Sequence, residues 1–501
     1  MLALLLALLV FAAAVLTCAS ESNWQSNSTS YTPASGRFYI YDWPLLINRY
    51  ANYTDRDVSG HGVEFPAWTA NFGAGRLLNA STGEFKTSQF ALFKVMYERA
   101  LLDPRRTLDP AQASSFLIPY DIGMDACFFE SHGRMRKTEC PLAPEALRLL
   151  SASPYFQAHQ GHDHALLVGV NQNMNFFLHA DACVAFLTAC WNCTKLSIDE
   201  YLFTAQDRHF ELQKRGINWH AVPFPSDYHF SATEEPVWRR PDSQENRSIA
   251  VSFVGNAHKY SPINTKTRLA LQQQCAKSDA CHSSVYAHDG LSPGEISRRS
   301  VFCLQPAGDM PTRKGVFDSV LSGCIPVFFH PLTARYMYEW HLGQSGWEDI
   351  SVSFDTPAEN DAILSHSLDV VQRLLELRTD VVLWKRQRIR ELAHRVQYSL
   401  ILRDAGGKAV VSREGTGDPG THRTWEPDAY DISMDRLLRL HSGQASHNRT
   451  AHYLRCQTRR GGPMSKNKAQ TSDHCSSTNS SEDPFGPPYS VESPLFRGEV
   501  I

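Results

Sequence analysis

Apolar positions along the chain fall in short blocks separated by polar, turn-forming stretches. Gly36-Arg-Phe-Tyr-Ile-Tyr-Asp42 reads as a first strand, stopped by Trp43-Pro44. From Phe85 to Leu102 the apolar residues Phe90, Phe93, Met96, Tyr97 and Leu101 recur at helical spacing. Ser114–Pro119, Ala165–Val170 and Trp219–Pro223 are short buried-strand candidates. Strands alternating with helical stretches predict an α/β domain with a mostly parallel sheet. Between Phe230 and Arg247 the chain turns polar, with Pro236, Pro241 and a run of charges, and reads as an interdomain linker.

A second α/β series follows. Ile249–Gly255 is a predicted strand, Thr265–Cys275 a helix, Val301–Leu304 a strand, Thr312–Leu321 a helix and Ile325–Phe329 a strand. Helical spacing resumes through Ile363, Leu368, Val371 and Leu375, and a long helix is predicted over Val381–Leu402. Gly406–Thr421 is a loop by composition, and Ala429–Leu440 returns as a helix. The predicted organisation is a leader (1–20), a stem (21–35), a first α/β domain (36–235), a second (245–403), a loop with a closing helix (404–440) and a disordered tail (441–501).

At 501 residues the chain is too long for one ordinary core. Its net charge of −3, with acids and bases interspersed, gives no field suited to nucleic acid or an anionic membrane. The unbroken apolar run Leu2–Leu16, followed by Thr17, Cys18, Ala19 and Ser20, reads as a cleaved signal peptide or an uncleaved membrane anchor through residues 2–19. Two further features agree with a secretory destination. Sequons stand at Asn27, Asn52, Asn79, Asn192, Asn246, Asn448 and Asn479. The 12 cysteines, 11 after the leader, predict several disulfides and at least one leftover thiol; pairs such as Cys127/Cys140 and Cys275/Cys281 lie within loop-closing spans, and the connectivity does not follow from the sequence. Cys190-Trp-Asn-Cys193 has no second pair at metal-site spacing and reads as structural.

The chemistry concentrates in Ser300–Phe329. A strand runs into a loop holding Pro306, Gly308, Asp309 and Pro311, and a helix starts near Thr312. Gly323 sits where a helix stop is needed, and a second strand follows at once. In such βαβ units ligands bind beyond the carboxyl ends of the strands, at the loop leading to the helix. Unpaired helix N–H groups, the Thr312 hydroxyl and a bidentate Arg313 suit a diphosphate, and Asp318 suits ribose hydroxyls. The plainer alternative makes Thr312 a helix cap and Lys314/Asp318 an ordinary i,i+4 surface pair. Neither a P-loop nor a dinucleotide-binding glycine fingerprint is present.

The segments Phe302-Cys-Leu-Gln-Pro306, Gly308-Asp309, Thr312-Arg313, Phe317-Asp318 and Gly323-Cys-Ile-Pro-Val-Phe-Phe-His-Pro331 resemble the exostosin-type glycosyltransferases. Tyr338-Glu-Trp-His341 fits the plant branch with the xyloglucan galactosyltransferases. Weaker matches in the same order are Phe38–Asp42, Phe116–Tyr120 with Gly123 and Asp125, Gly161-His-Asp-His164, Val222–Pro225 with His229, Ser252–Gly255 with Arg268, and Asp428–Asp431.

The resemblance implies a GT-B fold, two Rossmann-like domains facing a cleft. It also implies inverting transfer from a UDP-sugar to a polysaccharide or glycan acceptor, without a metal ion, in the Golgi or endoplasmic reticulum lumen, with complexes among transferases. Arg268, Gly308, Asp309, Thr312, Arg313 and Asp318 would then hold the donor. Asp125, Asp163 and His164 are the candidates for the general base, each set against a reading as a turn or a hydrogen-bonded structural pair. Asp55-Arg-Asp57 reads as a chance surface sequence rather than a metal motif. Two departures stand out: Met310-Pro311 replaces a polar donor contact, and His162 replaces a common arginine. The rival classes are a non-catalytic carbohydrate-binding or complex subunit, expected to lose Arg313 or Asp318, and a glycoside hydrolase, for which a helix-N-terminal diphosphate site has no use.

Overall fold

A computed structural model of the chain describes residues 33–43, 70–127, 140–170, 181–199, 218–231, 235–240, 247–255, 262–284, 291–308, 310–334, 337–412, 415–416 and 424–443. The leader, most of the stem and the tail, with the Asp55-Arg-Asp57 segment, Asp309 and the sequons other than Asn79 and Asn192, lie outside the described residues. Among the described residues no helix is long and apolar enough to cross a membrane.

The compact unit from Ala34 onward contains two parallel sheets. The first is built from β1 (Phe38–Ile40), β4 (Arg106–Thr107), β5 (Ser115–Ile118), β6 (His164–Val168), β7 (Thr194–Ser197) and β8 (Trp219–Ala221), ordered β4-β1-β5-β6-β7-β8. A hairpin of β2 (Arg76–Asn79) and β3 (Glu84–Lys86) precedes helix α1 (Leu92–Leu102). Further helices of this half are α2 (Ile122–Cys127), α3 (Ala143–Ala152), α4 (Pro154–His159) and α5 (Asp181–Ala189).

The second sheet comprises β9 (Ile249–Val254), β10 (Cys281–Ser284), β11 (Ser300–Gln305), β12 (Ile325–Phe328) and β13 (Val352–Ser353), ordered β10-β9-β11-β12-β13. Between its strands run α6 (Pro262–Ala276), α7 (Pro293–Arg299), α8 (Lys314–Leu321) and α9 (Gly343–Ile350). After it come α10 (Pro357–Leu364), α11 (Val370–Leu375) and α12 (Thr379–Leu392), the hairpin β14 (Ile401–Arg403)/β15 (Ala409–Val411), the short pair β16 (Gly415–Thr416)/β17 (Thr424–Trp425) and the closing helix α13 (Ala429–His441). In both sheets the second strand pairs outside the first, so each has a point where the strand order reverses, between β1 and β5 and between β9 and β11.

Burial explains which strands were readable from the sequence. β5, β6 and β12 are buried at every position, so their apolar runs carry no alternation. β7 is equally buried yet reads Thr-Lys-Leu-Ser, because its polar groups find partners: Thr194 bonds His441, and the Lys195 ammonium donates to the Trp191 carbonyl at 2.8 Å. Sequence pattern missed it for that reason.

Three other expectations change. The long helix predicted over Val381–Leu402 ends at Leu392, and after a 3-10 turn the chain extends so that the Leu400 N–H reaches the Phe230 carbonyl. The segment read as a polar linker buries Val237 and Trp238. Cys275 and Cys281 are joined as expected, but Cys140 bonds Cys183 rather than Cys127, because α3 and α5 run side by side. Cys303–Cys324 ties β11 to the residue before β12. Cys190 and Cys193 are free, buried thiols, and burial raises the Cys190 thiol well above its ordinary value.

Helix α13 returns from the second half of the chain to the first sheet. Asp428 and Asp431 form a capping box at its start. The Arg99 guanidinium of α1, 2% exposed, donates to Asp428 at 2.6 Å and to Asp431 at 3.4 Å. Tyr430 donates to Asp103 at 2.9 Å, and at the other end His441 bridges Ser115 at 2.6 Å and Thr194 at 3.0 Å. Burial alone would raise the Asp428 carboxyl, yet the Arg99 charge and the N–H groups of Asp431 and Ser399 hold it at about 2, below its ordinary 3.8. A depressed carboxyl contributes stability that is complete above the ordinary value and is lost as the pH falls through about 2. Arg99→Ala strands two carboxylates that are 2% and 4% exposed, and is expected to cost about 3–5 kcal/mol in chemical denaturation at neutral pH. That deficit should shrink as the pH falls toward 2, because without Arg99 burial makes the stranded acids take up protons first, and the paired acids of the parent follow only near 2.

Candidate functional site at the second switch point

Strand β11, helix α8 and strand β12 form the βαβ unit anticipated from the sequence, with β11 and β12 parallel and Phe302 opposite Ile325. Val316, Phe317, Val320 and Leu321 are fully buried, and Phe317 packs edge-on against Tyr338 and Trp347. Ser322 ends the helix, and Gly323 follows at φ 74°, a backbone position that suits glycine. This packing fixes the direction in which the first turn of α8 points: toward the carboxyl ends of β9 and β11, where the strand order reverses.

Arg313 occupies the N-cap position of α8, and its side chain caps nothing. The guanidinium reaches across the switch point instead, its Nη2 donating to the Val254 carbonyl at the end of β9, 3.1 Å away. Nη1 is shut off from solvent and meets no acceptor among the described residues. Two glycines leave room for it. A Cβ on Gly255 would stand 3.2 Å from Nη1, and one on Gly315 would stand 3.2 Å from Nε and 2.6 Å from Gln305 Oε1. Arg268 of α6 lies along the same loop, its Nε donating to the Ala307 carbonyl at 2.8 Å, with Nη2 3.3 Å from where a Cβ on Gly308 would be. Burial and then the Arg268 charge push the Arg313 guanidinium down from 12.5 to about 9. Two guanidinium groups beside the open N–H groups of a helix start make a pocket of positive potential suited to an anion.

The other donor-side candidates sort by geometry. Thr312, 2% exposed, does not cap the helix; its hydroxyl donates at 3.1 Å to Tyr338. Tyr338 in turn donates to the Ile198 carbonyl just beyond β7, at 2.7 Å, which joins the anion loop to the first sheet. Gly308 stands in the turn itself, its N–H donating to the Met310 carbonyl.

Asp318 faces the loop after β8: its Oδ1 accepts from Ser226 at 2.7 Å and from the Asp227 N–H at 3.0 Å. The Lys314 ammonium lies 2.9 Å from Asp318 Oδ2 and 2.7 Å from Asp227. Lys314/Asp318 is therefore the i,i+4 pair that the plainer reading gave, extended by a third charge from the other half of the chain. Burial first, and the Asp318 charge, push the Asp227 carboxyl up to about 6 against the opposing pull of Lys314. The sequence analysis does not name Asp227 and gives Tyr338 no role beyond the Tyr338–His341 match; the available signal for Asp227 was its position two residues after Val222-Pro-Phe-Pro225.

The three base candidates do not come together. Asp125 lies in α2, after β5, on the carboxyl side of the first sheet, but it is 1% exposed. Its Oδ2 accepts from the Tyr120 hydroxyl at 2.8 Å and from the N–H groups of Leu142 and Ala143 at 2.9 and 3.1 Å, which anchors the start of α3. Asp163 and His164 sit at the amino end of β6, the opposite edge of the sheet. His164 is fully buried, linked through Nδ1 to Asp163 and through Nε2 to Tyr41, each at 2.7 Å, and stacked on Phe116. His162 is exposed at that same edge.

Two doubly wound parallel sheets joined by a returning C-terminal helix, with a cationic helix start at one switch point, define an α/β protein of the GT-B type. The chain belongs to the exostosin GT47 domain family, which it matches over residues 34–365. In Arabidopsis thaliana, probable xyloglucan galactosyltransferase GT20 is 29% identical over 311 residues, covering 61% of this chain and 53% of that protein. Xyloglucan-specific galacturonosyltransferase 1 is 26% identical over 410 residues, covering 80% and 56%. Xyloglucan galactosyltransferase MUR3 is 25% identical over 435 residues, covering 81% and 62%. The chain thus spans little more than half the length of the first two.

At an ordinary helix start Gly→Ala stabilises. Here Gly315→Ala drives a methyl group against Gln305 and the Arg313 guanidinium. It is expected to weaken inorganic diphosphate binding, followed by titration calorimetry, by about tenfold or more (about 1.4 kcal/mol) with the circular-dichroism spectrum retained.

Proposed function

We propose that the chain is an inverting glycosyltransferase that moves a sugar from a UDP-sugar to a polysaccharide or glycan acceptor in the lumen of the secretory pathway. The observation that carries this reading is Arg313, held across the second switch point with a buried Nη1 that no described residue satisfies, next to Arg268. A diphosphate bound there would receive charge-assisted hydrogen bonds from Arg313, and its leaving-group charge would be met by two guanidinium groups and the α8 N-terminus. That charge supply supports a reaction without a metal ion. Asp318 Oδ2 receives only Lys314 among the described residues and keeps a lone pair for a ribose hydroxyl.

Inversion also needs a base that takes the proton of the acceptor hydroxyl. Asp163 and His164, at the amino edge of β6, are better read as a structural pair that braces Tyr41, and Asp125 as the anchor of α3. The relatives are named for galactose in two cases and galacturonic acid in one, so the family match leaves the sugar open. The disulfides support a lumenal site, since such bonds persist in oxidising compartments. A non-catalytic subunit has less support, because it has no need of a buried, unsatisfied arginine.

Release of UDP from a panel of UDP-sugars, with and without xyloglucan-type acceptors, tests the proposal on purified protein. One donor should turn over, and Arg313→Ala should lower kcat/KM by about a hundredfold or more, the loss expected for one charge-stabilising donor. Undiminished turnover in Arg313→Ala would remove the diphosphate assignment, and inactivity with every donor would favour the non-catalytic reading.

A further inference from the structure

We propose that Asn79 carries an N-linked glycan that shields the exposed edge of the β2–β3 hairpin. The inference rests on the lumenal location proposed above. Asn79-Ala-Ser81 is a sequon at the tip of that hairpin, with Asn79 as N-cap of the 3-10 turn Ala80–Thr82. The Asn79 Oδ1 accepts from the Ser81 N–H at 3.0 Å and from the Ser81 hydroxyl at 2.8 Å. Its Nδ2, the atom that would bear the sugar, donates to no described residue.

The hairpin presents one strand inward and one outward. β3 is anchored: Glu84 and Phe85 are 4% and 6% exposed, and the Phe85 N–H donates to the Asp227 carbonyl at 2.7 Å. β2 has β3 as its single strand partner among the described residues, and a bulge lies between Leu77 and Asn79. Leu77 and Leu78 are each 46% exposed, so apolar side chains flank a strand edge that has no partner among the described residues. Such an edge is a template for pairing with a second chain, and proteins cover or blunt it. A bulky, hydrated oligosaccharide on the adjoining residue does both.

The second described sequon is a different environment. The Asn192 Nδ2 donates to the Gln160 carbonyl at 3.0 Å, Cys193 is fully buried, and Thr194 is 2% exposed with its hydroxyl on His441. Nothing there calls for a cover.

The modification balances simply. The Asn79 Nδ2 attacks C1 of a lipid-diphosphate-linked oligosaccharide. The new N–C1 bond replaces the C1–O bond to the diphosphate, which departs as the lipid diphosphate, and the amide gives up one proton.

The test is the full chain expressed in a eukaryotic secretory host, digested, and treated with a glycoamidase that turns each glycosylated Asn into Asp. The peptide containing residue 79 should carry a glycan before treatment and Asp after it. Asn79→Gln and Ser81→Ala should each remove one glycan, and Asn79→Gln should self-associate in size-exclusion chromatography at concentrations where the parent is monodisperse. Adding Leu77→Lys and Leu78→Lys to Asn79→Gln should restore a single species. A bare Asn79 in a chain glycosylated at other sequons overturns the proposal and leaves the lumenal reading standing. No glycan at any sequon overturns both. An Asn79→Gln variant as monodisperse as its parent overturns the shielding role.

Discussion

Arg99 and its two carboxylates hold the arrangement on which everything else depends. The last helix belongs by sequence to the second half of the chain, yet its capping acids are neutralised by an arginine from the first helix of the other half. An isolated Asp428–Asp431 pair at this depth would be prohibitive, and so would an isolated Arg99. Each makes the other tolerable only when the chain has closed on itself. The same closure places His441 between Ser115 and Thr194, and seats the Ser399 N–H on Asp428. Specificity of closure, rather than raw stability, is the natural role for such a buried ionic cluster.

The loop before α8 shows the complementary situation, a guanidinium that forms no ion pair among the described residues. Arg313 has a carbonyl for one nitrogen and nothing described for another, with a second guanidinium nearby. By contrast Lys314, the next residue, lies between Asp227 and Asp318. Adjacent cations on one helix start therefore have opposite states. Lys314 is spent on fastening the loop after β8 to α8, whereas Arg313 stays available. Tyr338 adds a second tie from this loop to the end of β7 through Thr312 and Ile198. The start of α8 and the loop before it are thus coupled to the first sheet by two independent contacts.

Much of this was legible in residue order. Apolar runs long enough to be buried on both faces announced β5, β6, β11 and β12, and the Gly323 stop fixed where α8 must end. The adjacency of strand, loop, arginine, helix and strand placed Arg313 at the switch point, because a short crossover confines its loop to the strands' carboxyl edge. Polar strands such as β7 escaped, since their burial depends on partners far off in the chain, such as His441. The Cys140–Cys183 pairing escaped for the same reason: proximity in sequence pointed to Cys127, proximity in space to α5.

By itself, then, the sequence determined the layered α/β class, the position of the cationic helix start and the family to which it belongs. Those features rest on local propensity, short-range spacing and residue chemistry. Only the tertiary structure decided which charges are satisfied: Asp163 and His164 lie at the amino edge of β6, Asp125 is engaged in anchoring α3, and Arg313 faces the switch point. A side chain's chemistry is set by the groups that surround it after folding, and those come from strands and helices far apart in the chain.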